Sequence, residues 1–297
     1  MLTVEDVRDL AVGAGLEAFA ASLVETVQPA WRLDVRVGAA TPVGGSKIGG
    51  DPDLGPAESW PMNRRGVPMT FLAQVNGDEL PDFTPEWAAS APRAPRGRLL
   101  RVFADLVEDP YDDGPARVLL TSTADPLVRT PAPELPTSWP GGDDANIGVD
   151  ERVRWLPEAA VAPMPFLTAP ETHPVLDPEG SSMDAAAQRY TNWTYLLRLD
   201  GLDYNVESYE GRMPWEVHHL FGEPAATQGD PRFVAAFISR PDPELAEASA
   251  WTTLLALHDD NELELYILDA GAYTVVVPLA DRRSESFARA VCTLQSC

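Results

Sequence analysis

Lysine occurs once in this 297-residue chain, at Lys47. It stands inside Gly44-Gly45-Ser46-Lys47-Ile48-Gly49-Gly50-Asp51-Pro52-Asp53-Leu54, a loop with four glycines in seven residues that is followed by Trp60-Pro61. Arginine supplies every other basic side chain. An ammonium is a compact point charge and a guanidinium a wide fork, so a solitary lysine can do what arginine cannot. The glycines allow positive φ and close approach of another group. One chemistry open to such a loop is phosphate binding. The P-loop pattern, however, needs Gly-Lys-Ser/Thr and a following helix. Here the order is Ser-Lys, and Pro52 and Pro56 oppose a helix. No strand–GxGxxG–helix unit of the dinucleotide type is present either, so no cofactor is implied. The other chemistry is an ion pair from Lys47 to Asp51 or Asp53 within a tight structural loop.

The remaining reactive residues are few. The histidines are His173, His218, His219 and His258. His218 and His219 are adjacent, so on a strand they point to opposite faces and do not share a metal easily. His219 has Gln228 and Asp230 nearby in sequence and could form a polar site with them, or be satisfied by backbone at a loop edge. There is no GxSxG elbow. Cys292 and Cys297 match no CxxC or zinc spacing and are expected as free thiols. Asp109, Asp112 and Asp113 lack the alternating positions and distant Glu of a calcium loop, as does Asp259-Asp260-Asn261-Glu262, so both are expected as turns. The sequence therefore nominates no catalytic residue and no metal ligand. Its candidate binding residues are Lys47, Asp51, Gln74, His219, Gln228 and Asp230.

The elements that would position these residues follow from periodicity. Thr3 with Asp6 makes a capping box for a helix carrying Val4, Val7, Leu10 and Ala11. A second stripe, Leu16, Phe19, Ala20, Leu23 and Val27, stops before Pro29. Trp31, Leu33, Val35 and Val37 alternate with polar residues, which predicts a half-buried strand feeding the glycine loop. Strands are predicted over Met69–Val75, Arg98–Ala104, Val118–Thr123, Val153–Leu156, Trp251–His258, Glu262–Leu268, Ala272–Val277 and Val291–Gln295. Ser181 and Asp184 begin a helix with Ala187, Tyr190, Thr194 and Leu197 on one face, and a short helix is predicted near Leu279. Residues 125–180 are proline-rich and read as a connection.

The fold class expected is α+β, with mainly antiparallel sheets and flanking helices in a single domain over 1–297. Ile48-Gly49-Gly50-Asp51-Pro52 echoes Leu220-Phe221-Gly222-Glu223-Pro224, and Phe71–Val75 echoes Leu254–Leu257. That suggests duplication of one unit, at roughly 30–135 and 200–297. Two packed units would enclose a cleft where ligands bind. The net charge of −24 disfavours nucleic acid and anionic membranes as partners and favours a basic protein. No basic leader and no apolar run of spanning length occurs, so a cytoplasmic location is expected.

Ser46-Lys47-Ile48-Gly49-Gly50-x-Pro52, Trp60-Pro61 and Gly66-x-Pro68-Met69-x-Phe71-Leu72-Ala73-Gln74-Val75-Asn76 together resemble the YwqG-like family of largely uncharacterised bacterial proteins. Gly222-x-Pro224, Gln228-Gly229-Asp230, Asp269-Ala270-Gly271 and Leu294-Gln295 extend the resemblance. It implies a duplicated α+β fold and supplies no activity. More distantly the family is similar to eukaryotic chaperones of a basic ribosomal protein, and some bacterial members lie near toxin systems. The function expected is a non-enzymatic binding protein, a chaperone or an immunity-type inhibitor of a basic protein. The alternative is an enzyme or small-ligand binder using the cleft between the repeats.

Overall fold

The computed structural model describes residues 1–106, 113–133, 156–171, 173, 176, 185–200, 217–224, 228–267 and 270–296. The chain starts with α1 (Val4–Gly13), whose capping box forms as the sequence requires. Thr3 Oγ1 accepts from the Asp6 N–H at 3.1 Å and Asp6 Oδ2 accepts from the Thr3 N–H at 2.7 Å. A 3₁₀ turn and α2 (Ala20–Thr26) lead into β1 (Gln28–Arg36). Then come β2 (Lys47–Ile48), β3 (Asp53–Leu54), β4 (Thr70–Asn76), β5 (Arg98–Ala104), β6 (Gly114–Ser122), β7 (Val128–Arg129) and β8 (Ala159–Thr168). The remaining elements are α3 (Ala185–Arg198), β9 (His219–Leu220), α4 (Pro231–Ile238), β10 (Trp251–His258), β11 (Ala272–Pro278), α5 (Leu279–Ser284) and β12 (Val291–Gln295).

Ten of these strands close into one barrel, in the order β1-β8-β2-β4-β5-β6-β12-β11-β10-β9 and back to β1. Every pairing is antiparallel. The α+β expectation with antiparallel strands and flanking helices is met, but as a closed ring rather than as packed sheets. Strand alternation explains why the ring is solid. Leu33, Ile48, Val102, Leu220, Leu255 and Val275 point inward and pack into one apolar cluster with almost no exposure. The helices cover the outside. Val7 and Leu23 join Tyr190 and Trp193 of α3 in a second cluster over Leu167 of β8, and α4 lays Ala235 and Ala236 against Trp251 and Val276.

Two predicted elements differ from the observed ones. The strand predicted over Glu262–Leu268 is absent from its described residues, 262–267: β10 pairs directly with β11, and residues 261–264 form a turn closed by the Asp260–Leu265 bridge. Conversely, the connection read over 125–180 contains β8, which pairs with β1 from Gln28↔Thr168 to Arg36↔Ala160. Pro163 and Pro165 hid it, because proline argues against a central strand. The Val161 N–H donates to Ser46 O at 3.1 Å, away from β1. Period-two alternation aims the nitrogens of Pro163 and Pro165 to that same side, beyond the end of the two-residue β2, where no ladder bond is lost. The turn predicted at Asp109, the strand at Val153–Leu156 and the cap at Ser181 fall wholly or mainly outside the described residues.

Candidate functional site

Because Ile48 points into the barrel, Lys47 points out. Register places Lys47 opposite Gln74 on β4, and Gln74 opposite Arg101 on β5. Three long polar side chains thus stand in a row on the outer face, each with no exposed surface. A two-stranded ribbon of β3 and β7, with Asp53 opposite Arg129, covers the row.

The glycines explain how the cover fits. A Cβ on Gly49, whose φ is +60°, would lie 2.3 Å from the carbonyl oxygens of Leu156 and Pro157. Only glycine admits that segment, and its arrival brings Glu158 onto Lys47, with Nζ to Oε2 at 3.0 Å. Lys47 Nζ also donates to the Asp51 carbonyl. Gln74 accepts from the Asp53 N–H at 2.9 Å and donates to Gly45 O and to Asp53 Oδ2, both at 2.7 Å. Arg101 donates to Asp53 O at 3.0 Å, to both oxygens of Glu58 and to Thr121 Oγ1. Arg129 bridges Asp53, at 2.9 Å, and Glu158, at 3.2 Å.

Lys47, Arg101 and Arg129 are therefore matched by Asp53, Glu58 and Glu158. Burial pulls the Lys47 ammonium below its ordinary value, and Glu158 opposes that pull. Burial alone would raise the Asp53 carboxyl, but Arg129, Gln74 and the Gly44 N–H hold it below the usual carboxylate range. A charge-balanced set in which every member is hydrogen-bonded, with only Arg101 Nε left without a partner among the described residues, is built to clamp a loop. The ion-pair reading of Lys47 is right in kind, but its partner is Glu158, and Asp51 contributes its backbone oxygen.

The second predicted group lies elsewhere on the ring, and no contact among the described residues joins it to the first. His219 points outward from β9, opposite Arg32 and Ala256. Its Nδ1 hydrogen-bonds Phe221 O at 2.7 Å, so Nδ1 carries the proton and the buried Nε2 has no partner. Burial, then the charge of Arg198, holds its pKa down at about 3. Asp230 caps α4 and pairs with Arg232, which also pairs with Glu223 at 2.7 Å. Burial pushes the Glu223 carboxyl up, against Arg232. Gln228 is exposed and joins neither group. His218 is fully engaged, accepting from the His258 N–H at 3.1 Å and contacting Asp260 at 2.9 Å.

Of the six residues nominated for binding, Lys47 and Gln74 stand together in the clamp, with Asp51 contributing its backbone oxygen, and Asp230 caps α4. Sequence reasoning missed Arg101, Arg129 and Glu158, which come from distant segments with no local motif. A family model described as a domain of unknown function, DUF1963, matches residues 46–297. The chain belongs to this family. The resemblance to YwqG-like proteins is thereby confirmed, since that name is used for the DUF1963 family. No curated protein matches the chain. In this DUF1963 protein the match starts at Ser46, beside the lysine clamp, and leaves out β1, the strand that closes the ring. Among the described residues, no group of His, Cys, Asp and Glu could hold a metal ion, and no helix is long and apolar enough to cross a membrane.

Proposed function

We propose that this protein is a non-enzymatic binding protein for a basic protein partner, acting as a chaperone or inhibitor, with α4 as its apolar anchor. The observation that carries the reading is the outer face of α4. Phe233 and Phe237, one helical turn apart, are 67% and 61% exposed, and Ile238 is 47% exposed. Large aromatics presented side by side to solvent mark interaction surfaces. Arg240 lies over the Phe237 ring at 4.2 Å, and Asp242, Glu244 and Glu247 follow it, in a chain of net charge −24. A groove of about 760 Å³ runs beside Ile238. Arg64, Arg65, Arg117 and Arg289 line it together with Asp105, Asp113 and Asp242, so the groove carries both signs and the acidic field comes from the chain as a whole.

The duplication belongs to the same proposal. β2-β4-β5-β6 and β9-β10-β11-β12 run outward from the β1/β8 pair in the same order. The Gly49 N–H donates to Leu72 O and the Phe221 N–H to Leu254 O, both at 2.9 Å, and each set has its bulge at Leu72 or Leu254. These correspondences support descent from one unit and match the sequence echo.

The test is affinity capture from native lysate at low and moderate salt, using the wild-type chain and a Phe233→Ser/Phe237→Ser variant. The expected result is a basic protein held at low salt, released as salt rises, and lost at least tenfold with the double variant. Burying each ring contributes about 1.5–3 kcal/mol. Retention that ignores both salt and the substitutions, or retention of acidic proteins instead, refutes the proposal.

A further inference from the structure

One end of the barrel holds a separate cavity of about 290 Å³. Its walls come from both strand sets: Leu100 at the start of β5, Phe221 just after β9, and Phe287 between α5 and β12. Its polar groups are Arg93 from the loop before β5 and Arg282 and Arg283 from α5. Among the described residues, none of the three arginines has an ion-pair partner. Arg282 is half-buried, lies over the Phe221 ring at 5.2 Å, and donates to Thr252 Oγ1 at 3.2 Å. Glu285 is the single carboxylate in the lining.

This arrangement runs against the composition. Acidic residues outnumber basic ones 46 to 22, so counter-charges are plentiful; buried Lys47 and Arg101 are ion-paired, and buried Arg198 donates to the Glu223 carbonyl oxygen at 3.2 Å. Arg93 and Arg283 are exposed, so water screens their repulsion, and what marks the site is that both converge with the half-buried Arg282 on one apolar-walled cavity. Burial and then neighbouring Arg283 press on the Arg282 charge, in the direction a bound anion would relieve. Phe221 holds a left-handed backbone with φ +62°, rare for a non-glycine residue, and keeps its ring at this site. Guanidinium forks match the two-oxygen face of a carboxylate or phosphate. The apolar walls suit a flat hydrocarbon body, and the volume suits a small one.

We propose that this end of the barrel is a binding site for a small organic oxyanion, a carboxylate or phosphate ester carrying a flat apolar body. Phenyl phosphate and benzoate are the probes, with inorganic phosphate as the bodiless control, measured by titration calorimetry on the full chain. At least one aryl probe binds saturably with a Kd below about 1 mM, and inorganic phosphate binds at least tenfold more weakly. Which aryl probe is preferred identifies the natural oxyanion as phosphate ester or carboxylate. Arg282→Gln weakens binding about tenfold or more, as expected for loss of a charge-assisted contact. Arg93→Gln, at an exposed side chain with no hydrogen bond to lose, weakens it without altering thermal stability. Failure of both aryl probes to saturate at about ten times that concentration overturns the proposal. So does binding that both substitutions leave unchanged, or inorganic phosphate binding as tightly as the aryl probes.

Discussion

Replacing Asp53 with Asn tests the clamp over Lys47 at its centre. The carboxylate has no exposed surface and accepts from the Gly44 N–H at 2.8 Å, Gln74 Nε2 at 2.7 Å, and Arg129 Nε and Nη2 at 2.9 and 3.3 Å. Asparagine keeps the shape, loses the charge, and turns one acceptor into a donor facing donors. Breaking a buried ion pair from one side costs about 3–5 kcal/mol. The Arg129 side chain is 28% exposed and still holds Glu158, so the low end applies, about 3 kcal/mol. At about 2–4 °C per kcal/mol for a large domain, the midpoint falls by about 6–12 °C. The loss is also pH-dependent. The folded Asp53 carboxyl lies below its ordinary 3.8. Its contribution is full above the unfolded value and disappears as pH falls through the folded one. Urea unfolding of both proteins at pH 7 and near pH 3.5 should show the gap narrowing at acid pH. A gap under about 1 kcal/mol at pH 7, or one unchanged by acid, would refute this account of the clamp.

Three further outcomes are expected. Gly222→Ala should destabilise by roughly 2–5 kcal/mol, because φ is +78° and the new Cβ would meet Thr168 Oγ1 at 2.6 Å and Ala30 Cβ at 2.7 Å. Gly66→Ala, with φ +77° and open space, should cost only about 1–2 kcal/mol, and denaturation of the pair isolates the steric part. His219 should stay neutral from pH 8 to pH 5 in the folded protein, visible in its imidazole NMR shifts, since its folded pKa is about 3. Because unfolding frees it to protonate, wild type should lose about 1.4 kcal/mol per pH unit below 6.5 from this residue, and His219→Gln should not. Cys292, buried and with its thiol pushed upward by burial and then by Asp113, should resist a thiol reagent until the chain unfolds, as read by peptide mass spectrometry.

Local rules were legible in the sequence. Strict alternation located β1, and the Thr3/Asp6 pair located α1, because each depends on neighbours a few residues away. β8 was hidden because proline is weighed as though both strand edges were paired, and here one is not. The clamp was half legible. A lone lysine in a glycine loop marked the place, but Glu158 lies 111 residues from Lys47, and only the closed ring brings them together. His219, Gln228 and Asp230 are close in sequence, yet strand direction and helix capping send them to different surroundings.

Ring closure also sets a schedule for biosynthesis. β1 leaves the ribosome well before its partners β8 and β9, which follow it by more than a hundred residues. Its hydrogen-bonding edges must stay open while the intervening segments are made, and the loop to be closed is long. The final joint, β12 to β6, rests on two residue pairs, Val291↔Pro115 and Cys292↔Gly114. The ring of the nascent chain therefore cannot close until β12 is released. A truncation ending before Val291 should leave β6 and β11 as open, aggregation-prone edges rather than yield a smaller soluble barrel.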